Sequence, residues 1–270
     1  MKQKEPSGHL PSLRMTTEKY GSHEDQIGDL YLPVNSRPAV ICLLHGGFWR
    51  MPYGRDQMNA IAHDLVARGF AVWNLEYRRL GTPTGGWPNT GADVIDGIEY
   101  LSTLVAKGAD LDLDRIALVG HSAGGHLALW AAAQALRSSC GVRLKAVVGE
   151  APVSDLELAY KMGLGRGAVL ELLNATPEDK PEYYAAASPF NLLPFCIPQL
   201  VIHGTHDDAV PIEMSKAYAA AALAAGDSIE FAELPDSDHM AFLDPASTAH
   251  GAVCTWLSSV FLGRQHRTVD

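Results

Sequence analysis

A chain of 270 residues, 47% hydrophobic and 19% charged, has the composition of a soluble globular protein with one large core and no need of a second. Its formal net charge of −10 excludes a surface built to follow a phosphate backbone. The longest basic cluster, Tyr77-Arg78-Arg79, is too short for a nucleic-acid or lipid patch.

No run approaches membrane-spanning length, and Met1 to Pro11 lacks the apolar segment of a secretory signal, so the sequence reads as cytoplasmic with no membrane partner. Cys42, Cys140, Cys196 and Cys254 are scattered without a Cys-x-x-Cys pair, which predicts small buried thiols and neither a disulfide frame nor a metal site.

Residues 1–19 read as an N-terminal extension, and 20–270 as a single domain. Within it, 26–33 is expected to be an antiparallel edge strand, and the apolar run 39–44 a strand covered on both faces. Residues 56–68 have helical spacing closed by Gly69, and 70–77 is the next strand. A loop rich in Gly and Pro (81–91) precedes a helix over 92–106. Strands follow at 115–119, 145–150 and 199–203, then a helix at 211–225, a strand at 228–234 and a closing helix at 246–263. This alternation predicts an α/β fold, a mostly parallel central sheet flanked by helices on both faces, with ligands bound at the carboxyl ends of the strands. Residues 154–192 break the rhythm and read as a small helical insertion, a candidate lid, between the sixth and seventh strands.

The strand 115–119 runs into Gly120-His121-Ser122-Ala123-Gly124 and then into a helix-forming stretch. Strand, sharp turn and helix are the context a nucleophile elbow needs, with Ser122 lifted on the turn and small residues required at 120 and 124. A serine hydroxyl needs an imidazole within reach, and the imidazole needs a carboxylate to fix its tautomer. In the chain order Ser, acid, His, the acid belongs after strand 199–203, where Asp207 and Asp208 compete; the spacing Gly-x-x-Asp-x-x-Val-Pro selects Asp207. The base belongs after strand 228–234, where His239 is the only histidine in the loop. Amide donors for a developing oxyanion are expected from Ala123 and from the glycine loop His45-Gly46-Gly47-Phe48, with Gly47 as the second donor and Gly46 or Phe48 as a third. His45 is expected to brace that loop and His126 to be a packed residue. Trp49 and Trp87 are the aromatics expected to line a substrate pocket.

These motifs resemble the α/β-hydrolase superfamily from about Tyr20 to Leu262. His45-Gly46-Gly47-Phe48-Trp49 is similar to the His-Gly-Gly-aromatic-Trp motif of kynurenine formamidases (arylformamidases) and their esterase relatives, as are the elbow and the segment from Pro198 to Pro211. Phe48 stands where lipase-like loops carry a third glycine. The resemblance implies an acyl hydrolase with Ser122, Asp207 and His239 as its triad. Its expected reaction is cofactor-free cleavage of a small carboxylic ester or aryl formamide through an acyl-enzyme. Alternative readings are an acyltransferase or peptidase with the same triad, and a non-catalytic ligand-binding protein on this scaffold. A homodimer is compatible with the sequence.

Overall fold

Every residue of Ala39–Leu44 is buried, because the strand has a hydrophobic core on each side. Val40, Cys42 and Leu44 face one core; Ala39, Ile41 and Leu43 face the other. Each such aliphatic side chain removed from water contributes roughly 1.5–3 kcal/mol, so a continuous apolar run is stable only where both faces are covered.

The computed structural model describes residues 14–135 and 142–262; Cys140, the first thirteen residues and the end of the closing helix at 263 lie outside the described residues. The chain order is β1 (Arg14–Lys19), β2 (Ile27–Leu32), β3 (Ala39–Leu44), α1 (Asn59–Ala67), β4 (Ala71–Leu75), α2 (Asn89–Ala106), β5 (Asp112–His121) and α3 (Ala123–Ala135). Then come β6 (Leu144–Glu150), α4 (Leu156–Lys161), α5 (Ala168–Leu173), α6 (Pro181–Ala187), β7 (Gln199–Gly204), α7 (Ile212–Ala224), β8 (Ile229–Leu234) and α8 (Thr248–Leu262). The eight strands form one sheet in the order β1-β2-β4-β3-β5-β6-β7-β8. From β4 to β8 every pairing is parallel, while β2 is antiparallel to both β1 and β4. This is the α/β-hydrolase architecture, with helices on both faces of a mostly parallel sheet.

Two details differ from the sequence reading. The segment 26–33 was expected at the edge, but β1 pairs with β2 from Arg14↔Leu32 to Lys19↔Ile27 and takes that place. The sheet therefore begins inside the stretch read as an extension. Five of the six β1 residues are exposed, so the strand has no apolar alternation to announce it. The expected helix at 56–68 opens as a 3₁₀ turn (Arg55–Met58) before α1, and Gly69 ends it with φ +93°, as a left-handed cap should.

The sheet order reverses between β3 and β5: the chain leaves β3 toward β4 on one side and returns through β5 on the other. The crevice at such a reversal is where open α/β sheets hold ligands. The loops after β3 and β5 open into it, and these carry His45-Gly46-Gly47 and the Ser122 turn.

Glu150 closes β6, fully buried and on the same face of its strand as Ala146 and Val148 of the second core. Neither carboxylate oxygen has a partner among the described residues, and burial pushes the carboxyl up to about 8. Folded, it keeps its proton at neutral pH; unfolded, it loses it near 4.3. The native state therefore binds more protons between these values, and its stability falls as pH rises across that window. Glu150→Gln is expected to raise the melting temperature at pH 8 by more than at pH 5. The difference in unfolding free energy should approach about 3 kcal/mol, measured by denaturant titration at both pH values.

Candidate active site

Ser122 sits on a turn that no larger neighbours would allow. Its φ of +57° is left-handed, a strained conformation for a residue with a side chain. Its N–H donates to Glu150 O at 2.8 Å and its carbonyl accepts from His126 N at 3.0 Å. A Cβ on Gly120 would collide with the Gly124 carbonyl, and one on Gly124 would collide with the Leu44 and His45 carbonyls at the end of β3. The turn is thus wedged between the ends of β3 and β6. A Cβ on Gly46 would touch Ser122 Cβ at 3.2 Å, so the glycine loop lies directly against the serine.

Asp207 follows β7 and His239 follows β8, as the sequence reading expected. His239 Nδ1 donates to Asp207 Oδ2 at 2.6 Å, which leaves the lone pair on Nε2. The same Oδ2 faces His203 Nε2 at 3.1 Å, and Oδ1 accepts from the N–H groups of Ala209 (2.9 Å) and Val210 (2.8 Å). Burial would push the Asp207 carboxyl up, but the hydrogen bonds from His203, His239 and Val210 outweigh it and hold it far below the usual carboxylate range. His203 is itself fixed: Ser215 Oγ donates to Nδ1 at 2.7 Å, and Nε2 donates to Val210 O at 2.9 Å. The competing Asp208 is exposed, and the carboxylate that bonds the imidazole is that of Asp207.

The serine half is held by His121. Its Nε2 donates to the His239 carbonyl at 2.8 Å, and the two rings lie 4.6 Å apart. Burial, and next the neighbouring His239, push the His121 ring down to about 3, so it is a neutral strut between the elbow and the base loop. Among the described residues no hydrogen bond of 3.5 Å or less joins the Ser122 hydroxyl to the His239 ring. In enzymes free of substrate, serine–imidazole contacts are often long or poorly aligned.

The described hydrogen bonds leave the N–H groups of Gly46, Gly47, Phe48 and Ala123 without an acceptor in the chain. Gly47, Phe48 and Trp49 all have positive φ (+100°, +54° and +56°), so this loop needs firm support. Beneath it His45 places Nδ1 2.8 Å from Gly46 O and Nε2 2.7 Å from Glu76 Oε1. Both partners are acceptors, Gly46 O on one side of the ring and Glu76 Oε1 on the other. Tyr77 stacks on the ring at 4.3 Å, and its hydroxyl donates to the His45 carbonyl at 2.8 Å. Glu76 Oε2 in turn accepts from Arg55 N at 3.0 Å and faces Arg79, whose other nitrogen pairs with Asp25 at 2.6 Å. Burial pushes the Glu76 carboxyl up, yet the His45 and Arg79 contacts win and hold it below its ordinary value. The bracing role expected of His45 is what the structure shows; Glu76, Arg79 and Tyr77 were not singled out, since no local spacing ties them to the loop.

Trp49 and Trp87, the aromatics expected to line a pocket, each make a side-chain joint beside the loop and α3. Trp49 is 1% exposed, and its Nε1 donates to His126 Nδ1 at 3.2 Å. His126 Nε2 donates to Ala187 O at 2.9 Å, and burial lowers that ring to about 4, so it is neutral. Trp87 packs edge-on against Trp130 at 4.8 Å. An indole suits a core joint as well as a pocket wall, so residue type alone could not decide. The wall by the glycine loop is formed by a cleft of about 680 Å³ lined by Phe48, Met51, Tyr53, Leu164, Arg166 and Asp208, among others. The insertion forms its far side. Arg50 donates to Glu171 (2.7 Å) and to Gly165 O (2.6 Å), and a Cβ on Gly165 would strike the Phe48 ring.

The chain is similar to several known proteins. A family model described as BD-FAE matches residues 28–222. Esterase LipQ of Mycobacterium tuberculosis is 32% identical over 239 residues, 84% of this chain and 55% of its own length. A probable isoprenylcysteine alpha-carbonyl methylesterase ICME of Oryza sativa subsp. japonica is 30% identical over 229 residues, 77% of this chain and 53% of its own. The chain thus spans about half the length of these relatives. A solved truncated carbohydrate esterase from gut microbiota superposes with a TM-score of 0.79 at 22% identity, over 91% of this chain and 95% of that one, a likeness of fold.

Removing the Glu76 charge would leave the His45 ring and the Arg55 N–H facing a neutral amide, and Arg79 with Asp25 as its one remaining carboxylate partner among the described residues. Glu76→Gln is expected to lower the unfolding free energy at pH 7 by about 3 kcal/mol, measured by chemical denaturation. Because the folded Glu76 carboxyl is lowered, its contribution is complete above the unfolded value near 4.3 and is lost as pH falls below it. The gap between the two proteins should therefore close in acid.

Proposed function

The chain belongs to the BD-FAE family and has the α/β-hydrolase fold, and on that footing we propose that it is a serine hydrolase of small carboxylic esters. The observation that carries the proposal is the 2.6 Å His239–Asp207 hydrogen bond, which leaves a basic imidazole nitrogen on a ring strutted to the Ser122 elbow. The esterase names of the relatives support the same reaction class.

In this reading Ser122 Oγ attacks the ester carbonyl while His239 Nε2 takes its proton. Asp207 keeps the ring in the required tautomer and stabilises it once charged. The N–H groups of Gly47 and Ala123, with Gly46 or Phe48 beside them, receive the developing oxyanion; each such donor contributes roughly 3 kcal/mol. His239 then protonates the departing alkoxide, leaving an acyl group on Ser122. Water attacks that ester with His239 again as base, which releases the acid and restores the serine. Phe48, Met51 and Tyr53 give the cleft next to the glycine loop an apolar wall, which suits a compact organic ester. An aryl formamide is a second substrate class for the same machinery, since His239 can protonate a leaving nitrogen as it does an oxygen.

Ser122→Ala is expected to lower kcat on p-nitrophenyl acetate by about 10⁶-fold without changing the melting temperature. Asp207→Asn should lower kcat by about 10⁴-fold with KM nearly unchanged. An organophosphonate probe should add one adduct, located on Ser122 by peptide mass spectrometry. Full activity in the Ser122 variant, or no labelling of the active wild type, would overturn the proposal. A panel of p-nitrophenyl esters of increasing length alongside N-formylkynurenine ranks the two substrate classes.

A further inference from the structure

The face of the sheet covered by α1 and α8 carries a second cluster of reactive side chains that the serine chemistry does not use. Asp64 comes from α1, and His250 and Cys254 stand one turn apart on the same side of α8. His250 Nε2 lies 2.8 Å from Asp64 Oδ2 and 3.2 Å from Cys254 Sγ, and the sulfur lies 3.9 Å from the same Oδ2. His250 and Cys254 are almost wholly buried; Asp64 is about a quarter exposed.

This arrangement cannot be a thiol–imidazole–carboxylate relay. A relay puts the thiol on one ring nitrogen and the acid on the other, whereas here both meet Nε2 and the buried Nδ1 has no partner among the described residues. Three donors of different chemistry instead converge on one point. The three atoms lie 2.8 to 3.9 Å apart, a spread that brackets the edges of about 3.3–3.7 Å expected of a tetrahedral zinc site with bonds of about 2.0–2.3 Å.

We propose that Asp64, His250 and Cys254 form a binding site for a divalent cation of the zinc class, which ties α1 to α8. The open side of Asp64 leaves a fourth position to water. Arg68 Nε occupies the same Oδ2 at 2.6 Å, but its side chain is 43% exposed, and Asp64 Oδ1 has no described partner, so the guanidinium can move across to it. On binding, the Cys254 S–H bond breaks, a sulfur–metal bond forms and the proton passes to solvent. The imidazole proton moves from Nε2 to the unpartnered Nδ1. The closed site joins residues 186 positions apart in sequence, so metal should stabilise the fold. Cys42, by contrast, is buried in the first core and belongs to no such cluster among the described residues.

The test is a Co²⁺ titration of the full chain after chelator treatment. One equivalent should give a near-ultraviolet thiolate-to-cobalt band with tetrahedral visible absorption, discharged by one equivalent of Zn²⁺. Saturating Zn²⁺ should raise the melting temperature by about 5 °C. Cys254→Ser should abolish the thiolate band and weaken Zn²⁺ binding by at least about tenfold. His250→Gln should weaken binding similarly, and it decides the matter if the cysteine variant does not fold. A thiolate band that survives in Cys254→Ser, an octahedral spectrum without thiolate ligation, or no uptake of micromolar Zn²⁺ would each overturn the proposal.

Discussion

Contact between bare backbone at the Ser122 turn governs the rest of this site. The turn can be sharp because Gly120 and Gly124 leave no atoms to collide with each other or with the carbonyls ending β3. That closeness sets the glycine loop against the serine and lets Ser122 N–H reach the last residue of β6. Three neighbouring strands therefore end in mutual contact, and the reversal of sheet order between β3 and β5 gives the contact an opening. The left-handed Ser122 backbone is a local cost that the surrounding close packing must offset.

The electrostatics separate into two zones. Around the serine the supporting imidazoles are neutral: His121 and His126 are both lowered by burial, and each spends its Nε2 proton on a backbone carbonyl. They shape the site without adding a competing charge beside His239. Beneath the glycine loop the solution differs: Glu76, Arg79 and Asp25 form a buried chain of alternating charge, with the His45 ring hydrogen-bonded at its end. Such chains are poor sources of net stability but are intolerant of losing one member, which suits a loop that must hold three successive positive-φ residues. Asp207 belongs to neither zone alone: four donors around its two oxygens keep it ionised.

The sequence discloses what is local and conceals what is assembled. β3, β5 and β7 are visible as apolar runs because each is buried on both faces, and the elbow is visible because strand, glycine turn and helix are contiguous. Asp207 and His239 can be located because the order of strands assigns each a loop. β1 has no such signal: Arg14-Met15-Thr16-Thr17-Glu18-Lys19 is held by backbone pairing and one exposed edge, with little apolar surface to pattern. Trp49 is recognisable as part of a motif, yet whether an indole faces substrate or the His126 ring depends on an α6 carbonyl far along the chain. The Glu76 support and the Asp64–His250–Cys254 cluster are invisible for the same reason, being made by side chains that meet only after the sheet has formed.

The insertion between β6 and β7 is bolted to the glycine loop. Gly165 receives the Phe48 ring, Arg50 spans from the loop to Gly165 and Glu171, and Trp49 reaches the insertion through His126. The glycine loop and the insertion are therefore one mechanical unit, and neither can be exchanged alone. A chimera that imports a different cap to change what the cleft accepts must import residues 48–50 with it, or the amide donors will drift with the foreign segment.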